Sequence, residues 1–232
     1  MTNTAGYGQF CPVAMAAEVL CTRWTLLVLR ELLAGSTRFN EIRRGVPRMS
    51  PALLSKRLRE LEALGVVARA ADGTGQPSGY ALTEAGRDLM PVVSTMGAWG
   101  QRWLKSQLSL SNLDPALLMW DMRRSLNPTP LPPRRVTIEF TYPEVRAASR
   151  CWWLVVEDAE TDLCAVNPGF DVDLYVTGDL RTMTAIWMGL TTVRAAVAQQ
   201  LLTLTGDRVV ADCMQRWLGL SPFAGEARRI AD

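Results

Sequence analysis

The chain contains no histidine among its 232 residues. A Ser-His-Asp or Cys-His mechanism therefore has no base, and zinc would have to be held by thiols and carboxylates alone. Carboxylate, lysine and thiol chemistry survive that cut, but no closely spaced carboxylate motif supports an enzyme. Cysteine is sparse as well. Cys11, Cys21, Cys151, Cys164 and Cys213 are odd in number, scattered, and show no Cys-x-x-Cys spacing. That usage fits reduced thiols in a cytoplasm rather than a disulfide framework. No apolar run approaches the roughly 18 residues that cross a bilayer. The start, MTNTAGYGQFCPVAM, lacks the basic-then-apolar order of a secretory signal. We therefore expect a cytoplasmic protein with no membrane partner, no cofactor and no metal.

What is present is globular: 48% hydrophobic and 21% charged residues, enough for two modest domains. The net charge is only +2, but it is unevenly spread. Residues 1–108 carry 13 Lys and Arg against 8 Asp and Glu, leaving 12 against 15 for the remainder. Between Gly35 and Ala70 the bias sharpens: Arg38, Arg43, Arg44, Arg48, Lys56, Arg57, Arg59 and Arg69 face Glu41, Glu60 and Glu62. A polyanion would be drawn to that segment.

Apolar spacing predicts helices over Pro12–Leu20, Trp24–Leu33 and Phe39–Arg44, followed by a turn at Gly45–Met49. Ser50 and Pro51 open the best-signalled helix, which runs to Leu64 and stops at Gly65. Val66–Ala70 and Tyr80–Thr83 read as two strands around a loop from Asp72 to Gly79. Thr83 then caps a long helix from Glu84 to about Ser106. Another helix is expected over Asp114–Leu126, and a proline-rich linker over Asn127–Pro133. Beyond it, period-two alternation marks strands at Val136–Phe140 and Asp173–Thr177. Trp152–Val156 and Leu201–Thr205 are further strands, and helices are expected over Leu180–Leu190, Thr192–Gln200 and Arg208–Leu218. The fold class is thus α+β in two domains. The expected boundaries are 1–108 for DNA binding and dimerisation, 109–133 for a helix and linker, 134–223 for a ligand domain, and 224–232 for a tail.

Helix, turn, helix and hairpin is the plan of a winged helix, whose second helix enters the major groove. On a helical projection of Ser50–Leu64, Leu54, Leu58, Leu61 and Leu64 share the core side. Ala52, Ser55, Lys56 and Arg59 fall opposite, with Ser50 at the entrance. Small, hydroxyl and basic side chains there suit a groove, where Lys and Arg reach guanine or phosphate. Arg57 points to the flank, while Arg43, Arg44, Arg48 and Arg69 can hold phosphates around the helix. The plain alternative is a solvated basic helix face.

Several blocks carry a resemblance. Cys11-Pro12-Val13, Arg23-Trp24-Thr25, Leu29-Arg30-Glu31-Leu32, Arg38-Phe39-Asn40-Glu41-Ile42 and Ser50 to Leu58 occur in order, followed by Tyr80 to Gly86 and Trp99-Gly100. Over residues 9–106 the chain resembles the HxlR-type regulators, relatives of the MarR group. The resemblance implies a homodimer built largely from the terminal helices, bound to a pseudo-palindromic double-stranded operator. Cys21 departs from the pattern, where a small residue, often glycine, is usual. The resemblance also offers Cys11 as a sensor of electrophiles or oxidants. Its place before Pro12, at a helix N-terminus, favours a thiolate. An inert, partly buried cysteine is the other reading.

Residues 134–223 are similar to the sterol-carrier-protein family, small α+β domains around an apolar tunnel. The likeness rests on Val172 to Asp179, the amphipathic helix after it, and Leu202 to Asp207 followed by Arg208 to Leu218. In both strand-Gly-Asp-helix junctions Asp can cap the helix while Gly allows the turn. Trp152, Phe170, Trp187, Met188, Met214 and Trp217 are the candidate ligand wall, with ordinary core as the alternative for each. The sequence thus points to a DNA-binding repressor whose small apolar or aromatic effector occupies the second half. The alternatives are a redox or electrophile sensor through Cys11, a lipid or metabolite carrier, and, least supported, an enzyme.

Overall fold

Capping chemistry sets most of the helix starts in this chain. The computed structural model describes residues 6–71, 77–105 and 110–230, which fall into two compact units, Met1–Met96 and Gly97–Asp232.

In the first unit, α1 spans Pro12–Leu20, α2 Thr25–Leu33, α3 Phe39–Gly45 and α4 Pro51–Ala63. Strands β1 (Val67–Ala71) and β2 (Pro77–Leu82) pair antiparallel, with Arg69 opposite Tyr80. Helix α5 covers Glu84–Arg87 and α6 Met90–Trp103. This is a winged helix-turn-helix. Its core is Val28, Leu29, Leu32, Ile42, Leu54, Leu58, Leu61, Val67 and Tyr80, all buried.

Three local expectations change. Helix α2 starts at Thr25, because Trp24 takes the left-handed conformation at φ 79°, costly for an aromatic side chain. The long helix from Glu84 breaks at Asp88–Leu89. Pro91 has no N–H for the Arg87 carbonyl, so it sits in the first turn of a new helix instead. The expected end near Ser106 lies outside the described residues. Pro77, Ser78 and Gly79, read as loop, belong to β2, whereas residues 72–76 of that loop lie outside the described residues. Gly79 is in the strand because a side chain would not fit: a Cβ there would stand 2.6 Å from the Thr37 carbonyl. Next to it, the Tyr80 N–H donates to that same oxygen at 2.8 Å.

In the second unit α7 covers Pro115–Ser125, and the five-stranded sheet has order β5-β4-β3-β6-β7. Its strands are β3 (Val136–Thr141), β4 (Cys151–Glu157), β5 (Glu160–Cys164), β6 (Leu174–Gly178) and β7 (Leu202–Gly206). Only β3 and β6 are parallel. Helices α8 (Leu180–Trp187), α9 (Val193–Ala198), α10 (Arg208–Asp212) and α11 (Met214–Trp217) complete it. The Gly-Asp junctions cap as their chemistry suggests. Asp179 accepts from Thr182 N at 2.6 Å, and Asp207 from Val209 N at 2.7 Å.

Strand β5 was not legible, since Glu-Thr-Asp-Leu-Cys shows little apolar alternation. It follows β4 through Asp158 and Ala159, both at positive φ (50° and 65°), a tight hairpin without the usual Asn-Gly signal. Helices α8 and α9 are shorter than expected. Each ends in a left-handed residue, Gly189 or Gln200, with Leu190 N donating to Ala185 O and Leu201 N to Ala196 O. The helix expected over Arg208–Leu218 breaks at Cys213, whose carbonyl accepts from both Arg216 N and Trp217 N.

The stretch Asn127–Pro133 lacks regular structure but is packed within this unit. Leu131 is buried in the core, and Asn127 N donates to Trp217 O at 2.9 Å. Glu226 and Arg229 are also held. Arg102 pairs with Glu226 at 2.5 Å, and Arg229 N donates to Arg102 O. Among the described residues no single helix is long and apolar enough to cross a membrane.

Candidate nucleic-acid interface

Helix α4 begins where Ser50 Oγ accepts from Leu53 N at 3.3 Å and Pro51 takes the first turn. Leu54, Leu58 and Leu61 are sealed in the core. Leu64, expected with them, is 55% exposed, because the helix ends at Ala63 and the chain turns away at Gly65. On the opposite face Ala52, Lys56 and Arg59 are exposed and Ser55 is half-buried. Ser50 is exposed at the entrance.

The basic residues fall into groups. Lys56 has only a long 3.9 Å pairing with Glu60, both side chains well exposed, worth little in water and readily exchanged for a phosphate. Arg59 has no ion pair among the described residues. Arg57 is a positioning residue, its guanidinium held by Arg23 O at 3.1 Å and by Glu60. Arg43 and Arg44 are exposed at the end of α3, and Arg48 is exposed in the turn before α4. Arg69 lies on β1, 4.4 Å above the Tyr80 ring and 3.6 Å from Glu62. Its charge is therefore partly engaged within the hairpin.

What aims α4 is a feature that sequence reading missed. The Glu31 carboxylate of α2 is fully buried. Arg30 Nη2 lies 2.7 Å from Glu31 Oε1 and donates at 2.8 Å to the carbonyl of Gly45, the last residue of α3. Ser36 Oγ donates to the other carboxylate oxygen at 3.4 Å. A Cβ on Gly45 would lie 1.8 Å from the Glu31 carboxyl carbon, so only glycine lets α3 close onto the carboxylate. The available sequence signal was an acid inside the apolar Leu29-to-Leu33 stretch.

Cys11 is the N-cap of α1 and half-exposed. The backbone N–H groups of Ala14 and then Val13 hold its thiol below the ordinary range, since they stabilise the thiolate. By contrast, burial pushes the Cys213 thiol up. The six candidate wall residues divide. Trp152, Met214 and Trp217 are buried in one core cluster, and Trp187 packs against it. Trp217 Nε1 donates to Val210 O at 2.8 Å, whereas the buried Trp187 Nε1 has no hydrogen-bond partner among the described residues. Phe170 is exposed beneath the Arg135 guanidinium at 4.2 Å, and Met188 is the C-cap of α8, outside that cluster. In the first unit, an open cleft of about 470 Å³ is lined by Leu32, Ser36, Thr37, Tyr80, Leu82 and Arg87, among others.

The profile of the HxlR-like helix-turn-helix family matches residues 19–108. The chain is similar to the uncharacterized HTH-type transcriptional regulator YvaP of Bacillus subtilis. Identity is 38% over 98 residues, covering 41% of this chain and 91% of that one. With the uncharacterized HTH-type regulator sll1512 of Synechocystis it shares 35% over 101 residues, 43% of this chain and 75% of the relative. Among solved structures, quinone-bound YodB from B. subtilis is 36% identical, covering 39% of this chain and 96% of that one, at a TM-score of 0.34.

The buried carboxylate makes a direct prediction. Gly45→Ala should lower unfolding stability by about 2–3 kcal/mol, because the overpacked site cannot relax without disturbing a buried ion pair. Urea denaturation checks it, and a loss below about 0.5 kcal/mol would contradict the clasp.

Proposed function

The chain belongs to the HxlR-like helix-turn-helix family of DNA-binding transcription regulators, and on that premise we propose that it binds a pseudo-palindromic operator as a homodimer and acts as a repressor. Ala52, Ser55, Lys56 and Arg59 face the bases, with Ser50 at the groove edge. Arg43, Arg44, Arg48 and Arg69 hold the phosphates. The observation that carries this reading is the division of α4, sealed by Leu54, Leu58 and Leu61 on one side and lined with small and basic groups on the other. For the dimer, the support is apolar exposure. Helices α1 and α6 bury no residue of their own, and within the first unit they expose Val13, Met15, Val92 and Met96, apolar area that a second copy would remove from water.

Salt-titrated footprinting on DNA flanking the gene tests the interface. Lys56→Ala and Arg59→Ala should each cost about 1–3 kcal/mol of specific binding. Neutralising Arg43 or Arg48 should weaken all sequences alike and flatten the salt slope by about one ion. Equal, weak binding to every sequence would sink the proposal.

We assign the effector, an apolar or aromatic small molecule, to the second unit, read as a sterol-carrier-like ligand domain spanning about 134–223. The Trp187 indole N–H, unpaired among the described residues, supports that assignment, since a buried donor without a partner costs about 1–3 kcal/mol unless something accepts from it. The effector shifts DNA binding only if it prefers one arrangement of the dimer. Native mass spectrometry should find a small molecule copurifying, and Trp187→Phe should weaken its retention. A ligand retained equally by Trp187→Phe, or lost on blocking the cleft beside Tyr80, would refute the assignment.

A second reading rests on Cys11. Its thiol is activated by the first turn of α1, which suits reaction with an electrophile or oxidant. Alkylation followed by mass spectrometry should show Cys11 reacting with a pH midpoint below that of the urea-unfolded chain, and Cys213 with one above it. If Cys11 titrates like the unfolded chain, this reading fails.

A further inference from the structure

The outer face of the five-stranded sheet brings together two thiols from the two arms of the β4–β5 hairpin. Trp152 and Leu154 of β4 point into the core, so Cys151 and Trp153 point to the other face. Cys164 of β5 is the register partner of Trp153, and cross-strand partners share a face. Cys151 and Cys164 are therefore diagonal neighbours on adjacent strands, on the side away from the core. Both are free and half-buried. Around them stand Thr141, whose Oγ1 is 3.8 Å from Cys151 Sγ, and Glu139, which accepts from Trp153 Nε1 at 3.1 Å.

Diagonal pairs of this kind stand about 7–8 Å apart at Cα, beyond the roughly 7 Å limit for a disulfide without backbone movement. A metal ion bridges such a gap where a direct bond does not. At metal–sulfur bonds of about 2.3 Å, a linear thiolate–metal–thiolate unit spans about 4.6 Å between sulfurs. Among the described residues no group of three His, Cys, Asp or Glu side chains could hold a metal. That argues against tetrahedral zinc here and leaves a two-coordinate ion, the geometry available to soft cations on thiolates.

We propose that Cys151 and Cys164 form a two-thiolate site for a soft, two-coordinate cation of the Cu(I) class. On binding, both S–H bonds break, two protons pass to solvent, and two metal–sulfur bonds form with no change of oxidation state. The site is independent of the apolar-effector reading, and its failure would leave that reading untouched.

The test uses the full-length reduced protein under nitrogen, titrated with Cu(I) held by a chromophoric chelator in excess glutathione. One ion per chain should be retained, and Cys151→Ser or Cys164→Ser should each weaken retention about a hundredfold or more, the loss expected when a second tethered ligand is removed. Alkylation mapping of the unmutated protein gives a second readout that does not depend on how the variants fold. Cu(I) should protect Cys151 and Cys164 together while Cys21 reacts unchanged. Equal retention by the Ser variants, or protection of only one of the pair, overturns the proposal.

Discussion

The buried Glu31 carboxylate is the interaction on which the placement of α3 and α4 depends. An ionised group out of water is tolerable only if partners surround it, and here Arg30 and Ser36 do so from the α2 side. The same arginine grips the carbonyl that ends α3, and Gly45 leaves room for the approach. Because α3 must stop at that point, the turn through Val46 and Met49, both buried, delivers Ser50 to the start of α4. The solvent face of α4 is then set by packing of Leu54, Leu58 and Leu61. On that face Lys56 holds only an exposed 3.9 Å pairing with Glu60, and Arg59 has no ion pair among the described residues, which leaves both available to a polyanion.

The second unit is organised differently. Its core is a continuous apolar cluster under a mixed sheet, and aspartates at strand ends start the next helices. Arg134 ties the second of these junctions to the start of β6, at 3.2 Å from Asp207 and 2.6 Å from Asp173. Packing of Met214 and Trp217 into that cluster makes them structural before anything else. The same consideration leaves Trp187, its N–H unpaired among the described residues, as the wall candidate whose chemistry calls for a partner.

Much of the DNA-binding unit was legible because its signals are local. Ser50-Pro51, the leucine spacing of α4 and the turn-rich wing each act over a few residues. The overreach at Leu64 came from extending a periodic pattern past the residue where the backbone turns. Gly79 was misread for the opposite reason: composition marks glycine as loop, while its role is to let β2 approach Thr37. In the second unit, β5 and its hairpin escaped because Asp158-Ala159 adopts positive φ without glycine. Proline density at Asn127–Pro133 suggested a linker, yet Leu131 anchors that stretch in the core.

Apart from β5 and the breaks at Asp88–Leu89 and Cys213, the sequence by itself determined the kinds of element, their order, the helix starts set by Ser and Asp caps, and which face of α4 is basic. Each follows from interactions spanning less than about two helical turns. Only the tertiary structure decided that Glu31 is buried against Gly45, that Trp217 is core while Phe170 is surface, and that Cys151 and Cys164 share a sheet face. These depend on strand register, where a one-residue slip would turn every side chain to the other face, and on the packing of separate elements against one another.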